Sequence, residues 1–160
     1  MRKSVKGSVI NTLLYARRDW DRLINSVDEV EIGKVGVRGE WSIKDLIAHV
    51  TWYEKEMEIL IRTKKLDGSA LWELSSKERD DVIYQKNKFK PLDELKKHSL
   101  KTFAYLLDAL ETADDADLLD PGQIEGMPKD WQPLDIIANN TWMHYTHHEK
   151  EIREFLDKNN

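Results

Sequence analysis

Residues 41–52 read WSIKDLIAHVTW, and this segment decides the fold class. Ser42 followed by Asp45 is a capping arrangement, because the free N–H groups and the dipole at a helix start favour an acceptor there and a carboxylate in the first turn. Leu46, Ile47, Val50 and Tyr53 follow at helical steps, unlike the two-residue alternation of a half-buried strand. A helix is therefore expected from about Ile43 to about Lys64, with His49 among its apolar residues.

Working outward, Val5, Val9, Leu13, Ala16, Trp20, Leu23/Ile24 and Val27 mark a first helix from about Lys3 to Ser26, interrupted by the glycine-containing stretch GKVGVRGE at 33–40. On the other side, LDGSALWEL (66–74) reads as a loop and SSKERDDVIYQKNK (75–88) as a short capped helix. Pro91, where a first-turn proline is tolerated, opens a third long helix carrying Leu92, Leu95, Phe103, Leu106 and Leu110. The acidic, turn-rich residues 112–130 then lead to Pro133 and a final helix that nearly reaches the end. The expected fold is all-α: one domain over residues 1–160, a four-helix bundle. The long crossover between its second and third helices, with a short extra helix inside, argues against simple up-down-up-down order.

Composition agrees. Of 160 residues, 34% are charged and 40% hydrophobic, with only 7 Gly and 4 Pro, a balance that suits amphipathic helices. The formal charge of −5 offers no large basic surface, and no Lys/Arg stripe interleaves with aromatics, so nucleic acid is not an expected partner. The chain has no cysteine, which removes disulfides and thiolate ligands and suits a reducing cytoplasm. Neither a signal-peptide apolar core nor a membrane span is legible, so the expectation is a cytoplasmic protein without a membrane partner.

The opening segment has an echo. WQPLDIIANNTW (131–142) matches it at six of twelve positions: Trp41/Trp131, Asp45/Asp135, Ile47/Ile137, Ala48/Ala138, Thr51/Thr141 and Trp52/Trp142. Either an internal duplication or two helices solving one packing problem would produce this. In this frame His49 aligns with Asn139, while Glu54 and Glu58 align with His144 and His148.

His144 and His148 are four residues apart, so both imidazoles project from one helix face and could coordinate one ion. A third ligand must come from another helix, and His49 is the candidate; its alternative is a packed core histidine hydrogen-bonded to a neighbour. Three neutral imidazoles with open positions would suit zinc, nickel or another late divalent metal. Parallel helices starting level would misplace His49 by roughly 10 Å at 1.5 Å per residue, so the metal reading fits better with the second and fourth helices antiparallel and predicts that direction. His147 points roughly 100° away from His148 and belongs at a helix edge or on the surface, and His98 reads as peripheral. Glu149 and Glu151 read as a solvated face, with Glu149 or Tyr145 a possible outer partner of the metal ligands. Trp41 and Trp131, two of 6 tryptophans, stand at helix starts where they could frame a pocket mouth. Tyr53, Tyr84, Asn87, Asn140 and Tyr145 are further pocket candidates.

The W-S-x-x-D-L-x-A-H start at 41–49 and the N-T-x-x-H-Y-x-x-H run at 140–148 resemble the DinB-like four-helix bundles. WSIKDLIAHVTWYE (41–54), IYQKNKFKPLDELKKHS (83–99) and NNTWMHYTHHEKEI (139–152) are most similar to the ClbS/DfsB branch. The resemblance implies a bundle of unusual helix order and a pocket with a three-histidine metal site, often nickel or zinc, carried here by His49, His144 and His148. It also implies two kinds of relative: metal-dependent transferases using a low-molecular-weight thiol, and resistance factors that inactivate a reactive toxin.

The expected activity is accordingly a hydrolase or small-thiol transferase acting on a small electrophile or toxin. The alternative is a non-catalytic small-molecule binding or protection protein of the ClbS/DfsB type, without metal, and exposed helical faces would allow a homodimer with either.

Overall fold

The computed structural model describes residues 4–160. Its four long helices are α1 (Val5–Ser26), α3 (Ile43–Thr63), α5 (Leu92–Thr112) and α8 (Trp142–Lys158). Between them lie the shorter α2 (Glu29–Ile32), α4 (Ser76–Asn87), α6 (Asp115–Leu119) and α7 (Pro133–Asn139). No strand occurs among the described residues, and no described helix is long and apolar enough to cross a membrane. The expected first-helix start at Lys3 lies outside the described residues.

Local chemistry sets the ends of α3. Ser42 Oγ accepts from the Asp45 amide while Asp45 accepts from the Ser42 amide, a reciprocal cap that uses two otherwise free N–H groups. At the other end Lys64 turns left-handed at φ 53° and its amide closes on the Leu60 carbonyl. Pro91 is the residue before α5 rather than its first turn, since its ψ of 149° is extended.

Side-chain contacts fix the relative directions. Lys6 donates to the carbonyls of Glu111 and Ala113, and Arg17 donates to Ser99 Oγ, so α1 and α5 run antiparallel. Lys44 donates to the Lys88 and Lys90 carbonyls just before α5, and Arg62 to the Tyr105 carbonyl well along it, so α3 and α5 run parallel. Parallel neighbours need a long connection, which is the physical reason for the crossover holding the 3₁₀ turn Ala70–Glu73 and α4.

Helix α8 opposes α3. Tyr53 meets the His144 ring at 4.8 Å, while Gly36, ahead of α3, faces Phe155 near the end of α8. Gly36 sits at φ +119°, a region closed to most side chains, and a Cβ there would come within 3.4 Å of the Phe155 ring. The antiparallel direction that the histidine spacing favours is the one observed.

Leu13, Trp20, Leu46, Leu106, Leu110 and Ile152 are among the fully buried residues of the common core. An ion pair is buried with them: Arg17 Nη1 donates to both Glu54 oxygens at 2.8 and 2.7 Å.

The final helix is not continuous, contrary to the sequence expectation. It breaks at Asn140 and Thr141, whose ψ angles are 3° and −98°. Thr141 Oγ1 donates to Ile137 O at 2.6 Å, the carbonyl its own amide would take in a continuous helix, whereas Asn140 Nδ2 donates to Ile136 O at 2.9 Å beside the Asn140 amide, which keeps its helical bond to that carbonyl. The Thr141 amide turns instead to the Ala138 carbonyl, and α8 restarts at Trp142. The echoed Thr51 makes the same hydroxyl bond, to Ile47 O, without breaking α3.

Candidate metal centre

His49 sits on the second turn of α3, and His144 and His148 share a face of α8 near its start. His49 and His148 are buried and His144 half-buried. The three ring nitrogens converge: His144 Nε2 lies 3.0 Å from His49 Nε2 and 2.8 Å from His148 Nε2. All three ligand atoms lie within 4.8 Å of one another.

The outer ring nitrogens show how the centre is held. His148 Nδ1 donates to Glu151 Oε2 at 2.7 Å, one turn along the same helix. Partial burial works against the Glu151 charge, but the hydrogen bond and nearby His148 hold its carboxyl below the usual range. An ionised carboxylate only accepts, so in neutral His148 the proton sits on Nδ1 and the Nε2 lone pair faces the cluster. His49 Nδ1 points at Asp80 Oδ1, 3.6 Å away. Asp80, from the crossover helix α4, accepts from the Tyr53 hydroxyl at 2.9 Å, and that hydroxyl accepts from Arg79 Nε at 3.0 Å.

Burial, reinforced by the neighbouring histidines, depresses His49 well below its ordinary value and pushes His144 down to about 3. Both imidazoles are therefore neutral at physiological pH, the form that coordinates metals. The buried Nδ1 atoms of His49 and His144 have no hydrogen-bond partner among the described residues. Three convergent ring nitrogens, with Glu151 bonded to the far nitrogen of His148 and Asp80 facing that of His49 at 3.6 Å, fit a late divalent cation, since imidazole ligands are commonly oriented by a carboxylate on the far nitrogen.

The remaining candidates divide between places. The Trp41 ring lies 5.3 Å from His49 and stacks on Tyr84, and Tyr53 packs against both His49 and His144. Trp131 and Asn140 instead line a cavity of about 570 Å³ between α3, the 66–73 loop and α7, which none of the three histidines lines. Tyr145, fully buried, turns towards α1, where it stacks on Trp20 and lies beside Arg17. The Asn87 side chain donates to Ile83 O on its own helix, and His147 and His98 are exposed.

The outer partners differ from expectation. Glu149 lines a groove against α1 with Asp19 and Arg22, so it faces away from the centre, and Glu151 takes the role instead. The His148/Glu151 spacing of three residues was the available signal, because such positions are neighbours on a helix. Asp80 had no comparable signal, being brought in by the crossover.

Neither a curated protein nor a solved structure gives a significant match to this chain. The model of the DinB superfamily matches residues 12–152, a span that includes all three converging histidines. The chain belongs to the DinB superfamily, whose members often bind metal.

Proposed function

We propose that this chain, most similar within its superfamily to the ClbS/DfsB branch, is a metal-dependent DinB-like enzyme that holds zinc or nickel through His49, His144 and His148 and acts on a small electrophile as a hydrolase or small-thiol transferase. The observation that supports it is the convergence of three Nε2 atoms from two antiparallel helices, with Glu151 fixing the His148 tautomer from outside. A divalent ion bound there would supply Lewis acidity, to polarise an electrophile or to lower the pKa of water or a low-molecular-weight thiol.

The protein's own groups shape the surroundings. Trp41 and Tyr53 pack on the histidine rings and exclude water, while the Arg79–Tyr53–Asp80 chain holds a carboxylate facing His49 Nδ1. Having no cysteine, the protein contributes no thiol of its own, so a transferase would draw it from a soluble thiol, in keeping with a cytoplasmic setting.

Metal analysis of untagged protein tests this reading. Wild type should hold about one zinc or nickel per chain, and His49→Ala and His144→Ala should lose it. Stoichiometric metal unchanged in both variants overturns it.

The second reading, small-molecule binding without catalysis, is favoured by the cavity walled by Trp72 and Trp131, which stands apart from the histidines. Sequestration of an electrophile with no turnover by metal-loaded protein would select it.

A further inference from the structure

The cavity between α3, the 66–73 loop and α7 has about 570 Å³ of space, within the roughly 300–1,000 Å³ of small-molecule sites. Its apolar walls include Met57, Leu60, Trp72 and Trp131. Tyr53 and Trp72, ring centroids 5.6 Å apart, link the two places: Tyr53 packs on the histidines and Trp72 lines the cavity.

One polar group in this wall is out of keeping with the rest. Glu56 is only 6% exposed, on a helix that gives it no cation. Its Oε1 accepts from the Ser69 amide and from Trp72 Nε1, both at 2.8 Å, which pins the loop. Among the described residues no donor meets Oε2. A buried carboxylate is costly unless its charge is met, and two neutral N–H groups on one oxygen meet it only in part. The other charged lining residues are Asp67, Glu73 and Lys65, and Lys65 lies 3.7 Å from Glu125, so the cavity is net negative. Cations are also drawn to indole rings: Trp131 lines the cavity, and Trp72 already carries the Arg79 guanidinium 4.6 Å from its ring centroid.

We infer that this cavity binds a small organic cation: a protonated amine on an apolar or aromatic body, its ammonium on Glu56 Oε2 and its body between the tryptophans. The inference does not rest on the metal centre, because no histidine lines the cavity.

Calorimetric titration of metal-free protein with three compounds sharing an indole ring tests it: tryptamine, tryptophol and indole-3-acetate. Tryptamine should bind about tenfold or more tighter than tryptophol, the scale of a charge-assisted hydrogen bond, with the acid weakest. Glu56→Gln keeps an acceptor for Ser69 and Trp72 and should level the amine with the alcohol. Ile136→Trp, which fills the cavity from α7 without touching Glu56, should abolish both. Equal affinity for amine and alcohol in wild type, an amine preference surviving in Glu56→Gln, or binding undiminished in Ile136→Trp overturns the proposal, as does the absence of binding by all three. If Glu56→Gln fails to fold, the wild-type series and Ile136→Trp still decide.

Discussion

Glu151 Oε2 accepts a 2.7 Å hydrogen bond from His148 Nδ1, so a half-exposed surface carboxylate sets the orientation of a fully buried imidazole. Glu151→Gln should therefore weaken zinc or nickel binding by about 10- to 100-fold, as loss of an outer partner does elsewhere. Glu149→Gln, two residues away and facing α1, should change nothing. Competition with a chromophoric chelator measures both; equal affinities for the two variants would remove Glu151 from the centre.

The Arg17–Glu54 pair carries a different expectation. Arg17→Met leaves a fully buried carboxylate without its cation and should cost about 3–5 kcal/mol in urea unfolding. Arg17→Met combined with Glu54→Leu should recover most of that loss, since the cost lies in the stranded charge rather than in the absent pair.

The same pair gives a pH dependence with a definite sign. Burial pushes Glu54 up to about 7, against the pull of Arg17, whereas Arg17 overcomes its own burial because Glu54, Tyr145 and Asp21 all favour its charge. Folded Glu54 thus binds a proton between about pH 4.5 and 7 that the unfolded chain releases, so its contribution to stability rises as pH falls through that window. The difference in unfolding free energy between wild type and Glu54→Gln should accordingly vary over this range. A pH-independent difference would show that Glu54 titrates normally.

Thr51 and Thr141 occupy matched positions and make matched hydroxyl bonds, yet replacing them should not cost the same. In α3 the Ile47 carbonyl retains its helical amide partner, so Thr51→Val should cost under about 0.5 kcal/mol. At the break the Thr141 amide has moved to Ala138, and Thr141→Val leaves the Ile137 carbonyl bare in the interior, for about 1–3 kcal/mol. Denaturant midpoints of the two variants decide it, and equal losses would mean that Ile137 finds another donor.

Much of this was legible in the chain. The four long helices follow from apolar period and caps, and the ends of α3 from the Ser42/Asp45 pair and the run to Thr63. The crossover was readable because SSKERDDVIYQKNK carries its own cap, Ser75 with Glu78. His49 could be named with the His144/His148 pair because a four-residue pair is local and a third imidazole had to come from another helix. Asp80 was not legible, since its place beside His49 depends on how α4 packs on α3. Nor was the break at Asn140–Thr141, where the Thr141 hydroxyl holds the Ile137 carbonyl in place of its amide although the apolar periodicity runs through unchanged.

In an unbroken helix each residue fixes the azimuth of every other at about 100° per step, so a residue inserted before His144 would swing both imidazoles out of the cluster. The discontinuity at Thr141 gives α7 and α8 separate registers. Ile136 and Asn140 on one side address the cavity, while His144 and His148 on the other address His49. Changes in length or packing before the break can therefore remodel the cavity without re-aiming the imidazoles, which leaves ligand choice and metal coordination separately adjustable within the thirteen residues from Ile136 to His148.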